Sequence, residues 1–268
     1  TLGGMYIGTI HGFCLKALRD FAPADYYMFD VLDDAGRVSL LEQGAFNVLA
    51  LQAFRTSAER EGMASGKFDA YELFRNGYDQ LNEHGLLDVR LSDDPPPTDV
   101  GQERDWCYDA QLLTPTGDDE LSTRFADSAA RYYAYLRARR FFDFGTVQSE
   151  LVKRLENDGQ FRERFEDCWT HLVVDEVQDI NPVQDQIIRA LIRDIGHLTA
   201  VGDHRQAIYA FRGGRVDLMG TLYQEIDPSL DGAVQELPAN YRSTPRIIEI
   251  ANDWSQTIQE RGGMTNPD

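Results

Sequence analysis

The chain has 268 residues with a hydrophobic content of 42%, and its 45 acidic against 26 basic side chains give a formal net charge of −19. No apolar run approaches the roughly 18 residues of a membrane span, which argues against an integral membrane protein. Cys14, Cys107 and Cys168 are far apart and show no zinc-ligand spacing. We therefore predict reduced thiols in a cytoplasmic protein without membrane contact.

The acidic excess goes together with a scarcity of lysine, since Lys16, Lys67 and Lys153 are the only lysines of the chain. A strongly negative chain repels nucleic acid, whose binding proteins usually carry a basic surface. Alternatively, a dense carboxylate surface with few lysines keeps a protein soluble at high salt, where charges are screened. The lysine scarcity favours this second interpretation, a halophilic protein whose acidity reflects its surroundings and not its ligand.

The hydrophobic pattern changes along the chain from helical spacing to short buried strands. In chain order, it predicts a strand at 5–10, helices at 11–21, 38–60, 68–87 and 120–142, strands at 172–174, 198–201 and 234–237, and helices at 182–195, 215–226 and 245–260. Short strands that alternate with helices indicate an α/β domain with a parallel sheet. The helical stretch at 22–140 is then an insertion into that domain.

Carboxylates cluster directly after the predicted strand at 172–174, where Asp175 and Glu176 follow an apolar β-branched run. In parallel sheets, ligands bind at the carboxyl ends of the strands. A hard cation such as Mg2+ takes oxygen ligands, and an adjacent carboxylate can deprotonate a water that attacks a phosphoryl group. The alternative is an acidic helix N-terminus, where carboxylates interact favourably with the helix dipole.

Polar and aromatic side chains also follow the next two predicted strands. Gln206, Tyr209 and Phe211 come after the strand at 198–201, and Tyr241 precedes Arg242 after the strand at 234–237. In an extended loop, Tyr209 and Phe211 would point the same way and could form a platform for stacking nucleic-acid bases. The alternative for these two rings is packing within the loop, and Arg242 could be an ordinary surface arginine.

Five stretches of the sequence together resemble one protein family. They are GTIHGFC (8–14), FDFGTVQSEL (142–151), VVDEVQDINPVQ (173–184), VGDHRQAIYAFRGG (201–214) and LPANYRST (237–244). Their residues and order resemble the UvrD/Rep/PcrA/RecB family of superfamily 1 ATP-dependent DNA helicases. The resemblance implies translocation on single-stranded DNA, driven by ATP and Mg2+ with 3′-to-5′ polarity, in DNA repair, replication or recombination.

The same resemblance implies a domain organisation. Residues 1–21 and 141–238 would form a RecA-like, P-loop NTPase motor domain called 1A, with a parallel sheet. Residues 22–140 would be its all-helical insertion, called 1B, and 239–268 would begin the second motor domain, 2A.

The resemblance also assigns roles to single residues of this chain. Those implied for ATP are Asp175 as the Mg2+ ligand, Glu176 as the catalytic base, Gln206 and Arg242 at the γ-phosphate, and Tyr241 against the adenine. Those implied for DNA are Thr9, His11 and Phe13 in the first motif, Tyr209 and Phe211 as stacking rings, and Arg212 as the link between the two sites. For His11, a role at the N-terminus of the following helix is the alternative.

A phosphate-binding loop of the form G-x-x-x-x-G-K-[ST] does not occur in the chain. The nearest stretch, GMASGKF at 62–68, has three residues between its glycines and Phe68 in place of the hydroxyl that would bind Mg2+. We expect this loop upstream of Thr1, and we expect the chain alone to be inactive as an ATPase. Two alternatives stay open for the whole protein, a DNA-binding or interaction module that does not hydrolyse ATP, and the motor part of a RecB-like helicase–nuclease.

If the acidity reflects adaptation to salt, the melting temperature should rise when potassium chloride is increased from low to molar concentration. Carboxylates repel one another at low ionic strength and are screened at high ionic strength. Thermal unfolding followed by circular dichroism across that range measures the effect. A melting temperature that stays flat or falls would contradict the halophilic interpretation.

Overall fold

A computed structural model describes residues 5–40, 49–91, 103–114, 116–192, 197–203, 206 and 235–260 of the chain. The chain divides into two units, Thr1–Glu225 and Ile226–Asp268. Within the described residues, no helix combines the length and the apolar character needed to cross a bilayer. The predicted helix at 215–226 falls outside the described residues.

Helices dominate the first unit. They are α1 (Ile10–Phe21), α2 (Pro23–Tyr26), α3 (Asp34–Leu40), α4 (Leu51–Arg60), α5 (Lys67–Glu83), α6 (Glu103–Tyr108), α7 (Glu120–Ala138), α8 (Phe144–Asn157), α9 (Gly159–Asp167) and α10 (Pro182–Leu191). The second unit contains α11 (Pro245–Glu260). Several of these helices begin at a side chain that accepts a backbone N–H of the first turn, as Asp119 does for α7 and Asn181 for α10.

The strands of the described residues are short and form three pairs. They are β1 (Asp30–Leu32), β2 (Val89–Arg90), β3 (Gln111–Leu112), β4 (Phe141–Asp143), β5 (Leu172–Val174) and β6 (Leu198–Ala200). β1 pairs with β4 and β5 pairs with β6, both in parallel, whereas β2 and β3 are antiparallel. The domain is thus mixed α/β and mostly helical, with small parallel sheets. This agrees with the predicted α/β class.

Several predicted elements are confirmed and others are wrong. The strand at 172–174 and the helices at 11–21, 68–87, 182–195 and 245–260 correspond to β5, α1, α5, α10 and α11 within a few residues. Of the strand predicted at 5–10, Met5 forms a β-bridge, residues 6–9 are irregular, and α1 already begins at Ile10. Residues 235–237, predicted as part of a strand, carry no strand pairing.

The helix predicted at 120–142 is too long. α7 ends at Ala138, Arg140 adopts a left-handed backbone with φ of 59°, and the chain then enters β4. A non-glycine residue in that conformation cannot continue an α-helix. β1, within the stretch predicted as all-helical, pairs with β4, which places Asp30 opposite Phe141 and Leu32 opposite Asp143.

Two large hydrophobic clusters fill the first unit. One is built from residues between Leu40 and Leu136, on α4, α5 and α7 among others, and the other combines α1, α8, α9 and α10. Tyr26 and Phe29 pack in the second cluster, where the Phe29 ring stacks on Phe142. Residues just after 22, which the sequence assigns to the insertion, thus pack in the same cluster as α1 and α8.

A buried arginine joins the elements around the two clusters. The guanidinium of Arg37, on α3, donates to both carboxylate oxygens of Asp79 at 3.2 and 3.0 Å and to the Tyr132 hydroxyl at 3.1 Å. It also lies 3.7 Å from the fully buried carboxylate of Asp143, at the end of β4. Asp143 in turn caps α8 through a reciprocal pair of hydrogen bonds with Thr146.

Helices α5 and α8 approach each other closely at a glycine. A Cβ on Gly145 would lie 2.6 Å from the Cβ of Asn82, whose side chain is buried and accepts a hydrogen bond from Ser149 at 3.0 Å. The absence of a side chain at Gly145 therefore lets α5 pack against the first turn of α8.

Gly145→Ala should lower the stability of the chain. Alanine favours a helix over glycine by about 1 kcal/mol, but overpacking a tight buried contact costs about 1–3 kcal/mol. Gly159→Ala is the matched control, since it places the same methyl in the first turn of α9 with nothing within 4 Å. Urea denaturation of both variants measures the difference, and a Gly145→Ala midpoint at or above that of the wild type would contradict the contact.

Candidate functional site

The parallel pairing of β5 with β6 brings two loop segments side by side. Leu172 pairs with Leu198 and Val174 with Ala200. Beyond the strands, the Val201 N–H donates to the Val174 carbonyl at 2.8 Å and the Val177 N–H donates to the Val201 carbonyl at 3.0 Å. The segment that carries Asp175 and Glu176 is thus fixed to the segment after β6, as expected for a site at the carboxyl ends of parallel strands.

A tight turn presents the two carboxylates to solvent. Glu176 adopts a left-handed backbone, with φ of 53° and ψ of 44°, which is uncommon outside glycine. The Glu176 N–H donates to Asp175 Oδ1 and the Asp179 N–H donates to the Glu176 carbonyl, both at 2.9 Å. These bonds stabilise a conformation that costs about 1–2 kcal/mol in an L-residue, and both carboxylates are exposed.

Gln178 connects the two loop segments through its side chain. It is 2% exposed, and its Nε2 donates to Glu176 Oε2 at 2.6 Å, while its Oε1 accepts the Asp203 N–H at 3.0 Å. Gly202 allows this approach, because a Cβ there would lie 2.5 Å from Gln178 Oε1. Gly202 and Asp203 were not predicted as site residues, because no sequence pattern indicates their contact with Gln178.

Gln206, the predicted γ-phosphate contact, is hydrogen-bonded to Asp203 of this network. Its Nε2 donates to Asp203 Oδ2 and its backbone N–H donates to the Asp203 carbonyl, both at 2.9 Å. A continuous series of hydrogen bonds therefore runs from Glu176 through Gln178 and Asp203 to Gln206. The structure thus brings together Asp175, Glu176 and Gln206, the three predicted ATP residues of the first unit.

Asp179 is influenced by the carboxylates around it. Burial raises the pKa of Asp179, and the neighbouring Glu176 raises it further. Its Oδ1 is buried without a hydrogen-bond partner. Asp179 therefore contributes negative charge to the turn less readily than an isolated aspartate would.

The site fits a magnesium ion in its donor chemistry. No group of three or more His, Cys, Asp or Glu side chains suited to a metal occurs among the described residues. Mg2+ is usually held by one or two protein carboxylates and completes its shell with water and phosphate oxygens. The exposed carboxylate of Asp175, at the end of β5, is a ligand of this kind.

The first motif forms the beginning of α1. Thr9 is the N-cap of α1, and its hydroxyl oxygen accepts the Gly12 N–H at 3.2 Å. His11 is half-buried and its ring lies edge-on to Phe144, with ring centroids 5.1 Å apart. Phe144, at the first position of α8, is 44% exposed and was not predicted as a site residue. Thr9, His11 and Phe144 therefore form a partly exposed polar and aromatic patch.

Phe13 has a different position from the other residues of its motif. It is 8% exposed and its ring packs edge-on against Phe165 and Trp169 in the second cluster. This burial argues against the predicted direct contact of Phe13 with DNA. The ring instead anchors α1, which carries His11.

The remaining predicted residues belong to the second unit or fall outside the described residues. Tyr241 is 96% exposed, and the backbone N–H of Arg242 donates to Asn240 Oδ1 at 2.9 Å, in the segment before α11. Both belong to the second unit. Tyr209, Phe211 and Arg212 lie outside the described residues. Lys67 is the first residue of α5, and the element before it is the helix α4. A phosphate-binding loop follows a strand instead, so Lys67 does not have the position of its lysine.

Comparison with known proteins yields a consistent set of relatives. The model of the UvrD/REP helicase N-terminal domain matches residues 1–227. The ATP-dependent DNA helicase UvrD2 of Mycobacterium tuberculosis is 35% identical over 133 residues, which cover 47% of this chain and 19% of UvrD2. The ATP-dependent DNA helicase Rep of Escherichia coli is 34% identical over 128 residues, or 48% of this chain and 19% of Rep.

A third relative covers more of both proteins. A protein of Mycoplasma pneumoniae named a probable DNA helicase is 29% identical over 162 residues, which are 59% of this chain and 30% of that protein. The chain thus matches less than a third of the length of each of these three relatives.

His11 should titrate below its ordinary pKa of 6.5. Burial lowers the pKa of His11 and outweighs the opposing effect of Asp143. The folded state thus favours the neutral ring, so the contribution of His11 to stability is complete above pH 6.5 and is lost as the pH falls through the lowered pKa. An NMR titration measures the pKa of His11, and the His11→Gln variant identifies its signal. The same variant should lack the loss of stability that His11 causes as the pH falls. A pKa at or above the ordinary value would contradict the position of the ring.

Proposed function

Because the chain belongs to the UvrD/REP helicase N-terminal domain family, we propose that it is part of an ATP-dependent DNA helicase or translocase that moves along single-stranded DNA. The observation that carries this proposal is the arrangement of Asp175, Glu176 and Gln206 at the ends of β5 and β6. We include in the proposal the 3′-to-5′ polarity, a role in repair, replication or recombination, and a RecA-like motor domain with the helical insertion at 22–140.

In this proposal, Asp175 and Glu176 divide the chemistry of ATP hydrolysis between them. Asp175 would hold Mg2+, which when bound supplies positive charge to the phosphates. Glu176 accepts the proton of the attacking water, since its carboxylate is exposed and directly adjacent to Asp175. Phosphoryl transfer requires mainly positioning and charge stabilisation, so the fixed turn that holds both carboxylates supports these roles.

The proposal also assigns nucleotide contacts to Gln206, Tyr241 and Arg242. Gln206 is fixed to Asp203 by two hydrogen bonds and can direct its amide to the γ-phosphate after a small rotation of its side chain. Arg242 carries a planar charged group suited to phosphate, and Tyr241 has a fully exposed ring that can stack on the adenine.

Single-stranded DNA would bind to the patch at the beginning of α1 and to the residues that follow Gln206. The N-terminal N–H groups of a helix bind phosphate, and Thr9 and His11 lie at this end of α1. Because the pKa of His11 is lowered by burial, its ring is neutral near pH 7 and would contact phosphate as a hydrogen-bonding group. Phe144 would add a stacking surface beside His11, and Tyr209, Phe211 and Arg212 would extend the interface.

We further propose that the 268-residue chain does not hydrolyse ATP by itself. It contains no G-x-x-x-x-G-K-[ST] sequence, the loop whose amides and lysine hold the phosphates in this class of site. Without it, Asp175 and Glu176 have no fixed γ-phosphate to act on. Turnover by the purified chain that disappears in Glu176→Gln would contradict this.

Glu176→Gln in the complete protein should reduce DNA-stimulated ATP turnover by at least about 100-fold, the lower range of what a general base contributes. Affinity for ATP should remain within about threefold, because Asp175 is unchanged. Glu163→Gln, on the exposed face of α9, is the matched control and should leave turnover unchanged. Turnover and nucleotide affinity are measured together, and a Glu176→Gln turnover within threefold of the wild type would remove Glu176 from its proposed role.

A further inference from the structure

Gln178 differs from the other polar residues of the site because it is buried and makes two bonds in opposite directions. Its Nε2 donates to the Glu176 carboxylate at 2.6 Å and its Oε1 accepts the Asp203 N–H at 3.0 Å. Glu176 and Asp203 lie on different loop segments, after β5 and after β6. A side-chain amide can make both bonds because it carries a donor and an acceptor on one planar group.

The orientation of this amide is fixed by its surroundings. If the amide were reversed, its NH2 would face the Asp203 N–H and its oxygen would face the Glu176 carboxylate, so that both bonds would be lost. Gly202 lies directly against Gln178 Oε1, and Val177 beside it is buried. The side chain therefore has little room for another rotamer, and the hydrogen-bonded oxygen of Glu176 is held at one position.

We propose that Gln178 is a positioning residue for ATP hydrolysis, which orients the carboxylate of Glu176 and fixes it to the loop segment that carries Gln206. This inference rests on the proposed function. Because Gln206 is bonded to Asp203, and Asp203 to Gln178, the proposed base and the proposed γ-phosphate contact share one hydrogen-bonded frame. A displacement of the segment after β6 would then also displace the carboxylate of Glu176.

The charges around Glu176 explain why a neutral amide is suited to this position. Asp175, Asp179 and Asp203 all lie in the two segments that surround Glu176. Gln178 supplies a hydrogen-bond donor to the carboxylate without adding a charge. A glutamate in its place would keep the size and the acceptor for the Asp203 N–H, but it would lose the donor and would repel Glu176.

This difference defines the test, in which Gln178→Glu and Gln178→Met are introduced separately into the complete protein. Steady-state ATP turnover is measured with saturating single-stranded DNA, together with KM for ATP and the melting temperature. Both variants lose the donor to Glu176, so we expect kcat to fall by about 10- to 100-fold, the effect of a misplaced reacting group. KM for ATP and DNA affinity should remain within about threefold.

Gln184→Glu is the matched control for the added charge. Gln184 forms the capping box of α10 with Asn181, and glutamate serves equally in this position. We expect its kcat to equal that of the wild type. If Gln178→Met fails to fold, Gln178→Glu alone decides the question, because it preserves the shape of the side chain and the bond to Asp203.

The outcomes separate this inference from the proposed function. A Gln178→Glu variant with kcat within threefold of the wild type would show that only the bond to Asp203 matters, and would overturn the inference while ATP hydrolysis stands. A fall in melting temperature with a matching rise in KM would indicate a purely structural role and would also overturn it. A wild-type protein without ATP turnover would overturn both.

Discussion

The parallel pairing of β5 with β6 is the constraint on which the candidate site depends. It is short, but two further backbone hydrogen bonds, from Val201 to Val174 and from Val177 to Val201, extend it past the strand ends. Every site residue of the first unit that is implied for ATP lies on one of the two segments fixed in this way. The left-handed backbone at Glu176 and the close approach of Gly202 to Gln178 both occur where these two segments meet.

The acidity of the chain and its proposed ligand are compatible for a physical reason. DNA binding that depends on ion pairs weakens steeply with salt, because it is driven by the release of counterions. The patch at the start of α1 offers a neutral imidazole, a hydroxyl and an exposed aromatic ring at His11, Thr9 and Phe144. Contacts of this kind are screened much less than ion pairs, so a chain with a net charge of −19 could hold single-stranded DNA at high salt.

Features that depend on residues close together in the chain could be predicted from the sequence. The β-branched run at 172–174 and the carboxylates after it are local patterns, and both are where they were expected. The pairing of β1 with β4 was missed because it joins residues about a hundred positions apart, and Arg140 interrupts an otherwise helical pattern. The second bond of Gln178 was missed for the same reason, since its partner, Asp203, is 25 residues away and contributes only its backbone.

The buried guanidinium of Arg37 has a consequence for how this unit unfolds. Arg37 lies on α3, and Asp143, which it faces, follows Phe142 of the second cluster. If α3 detached while α5 and α7 stayed in place, Asp143 would remain buried without its countercharge, at a cost of about 3–5 kcal/mol. Local opening of α3 alone is therefore disfavoured. Although α3 has only seven residues, this polar connection couples its unfolding to that of the elements around it.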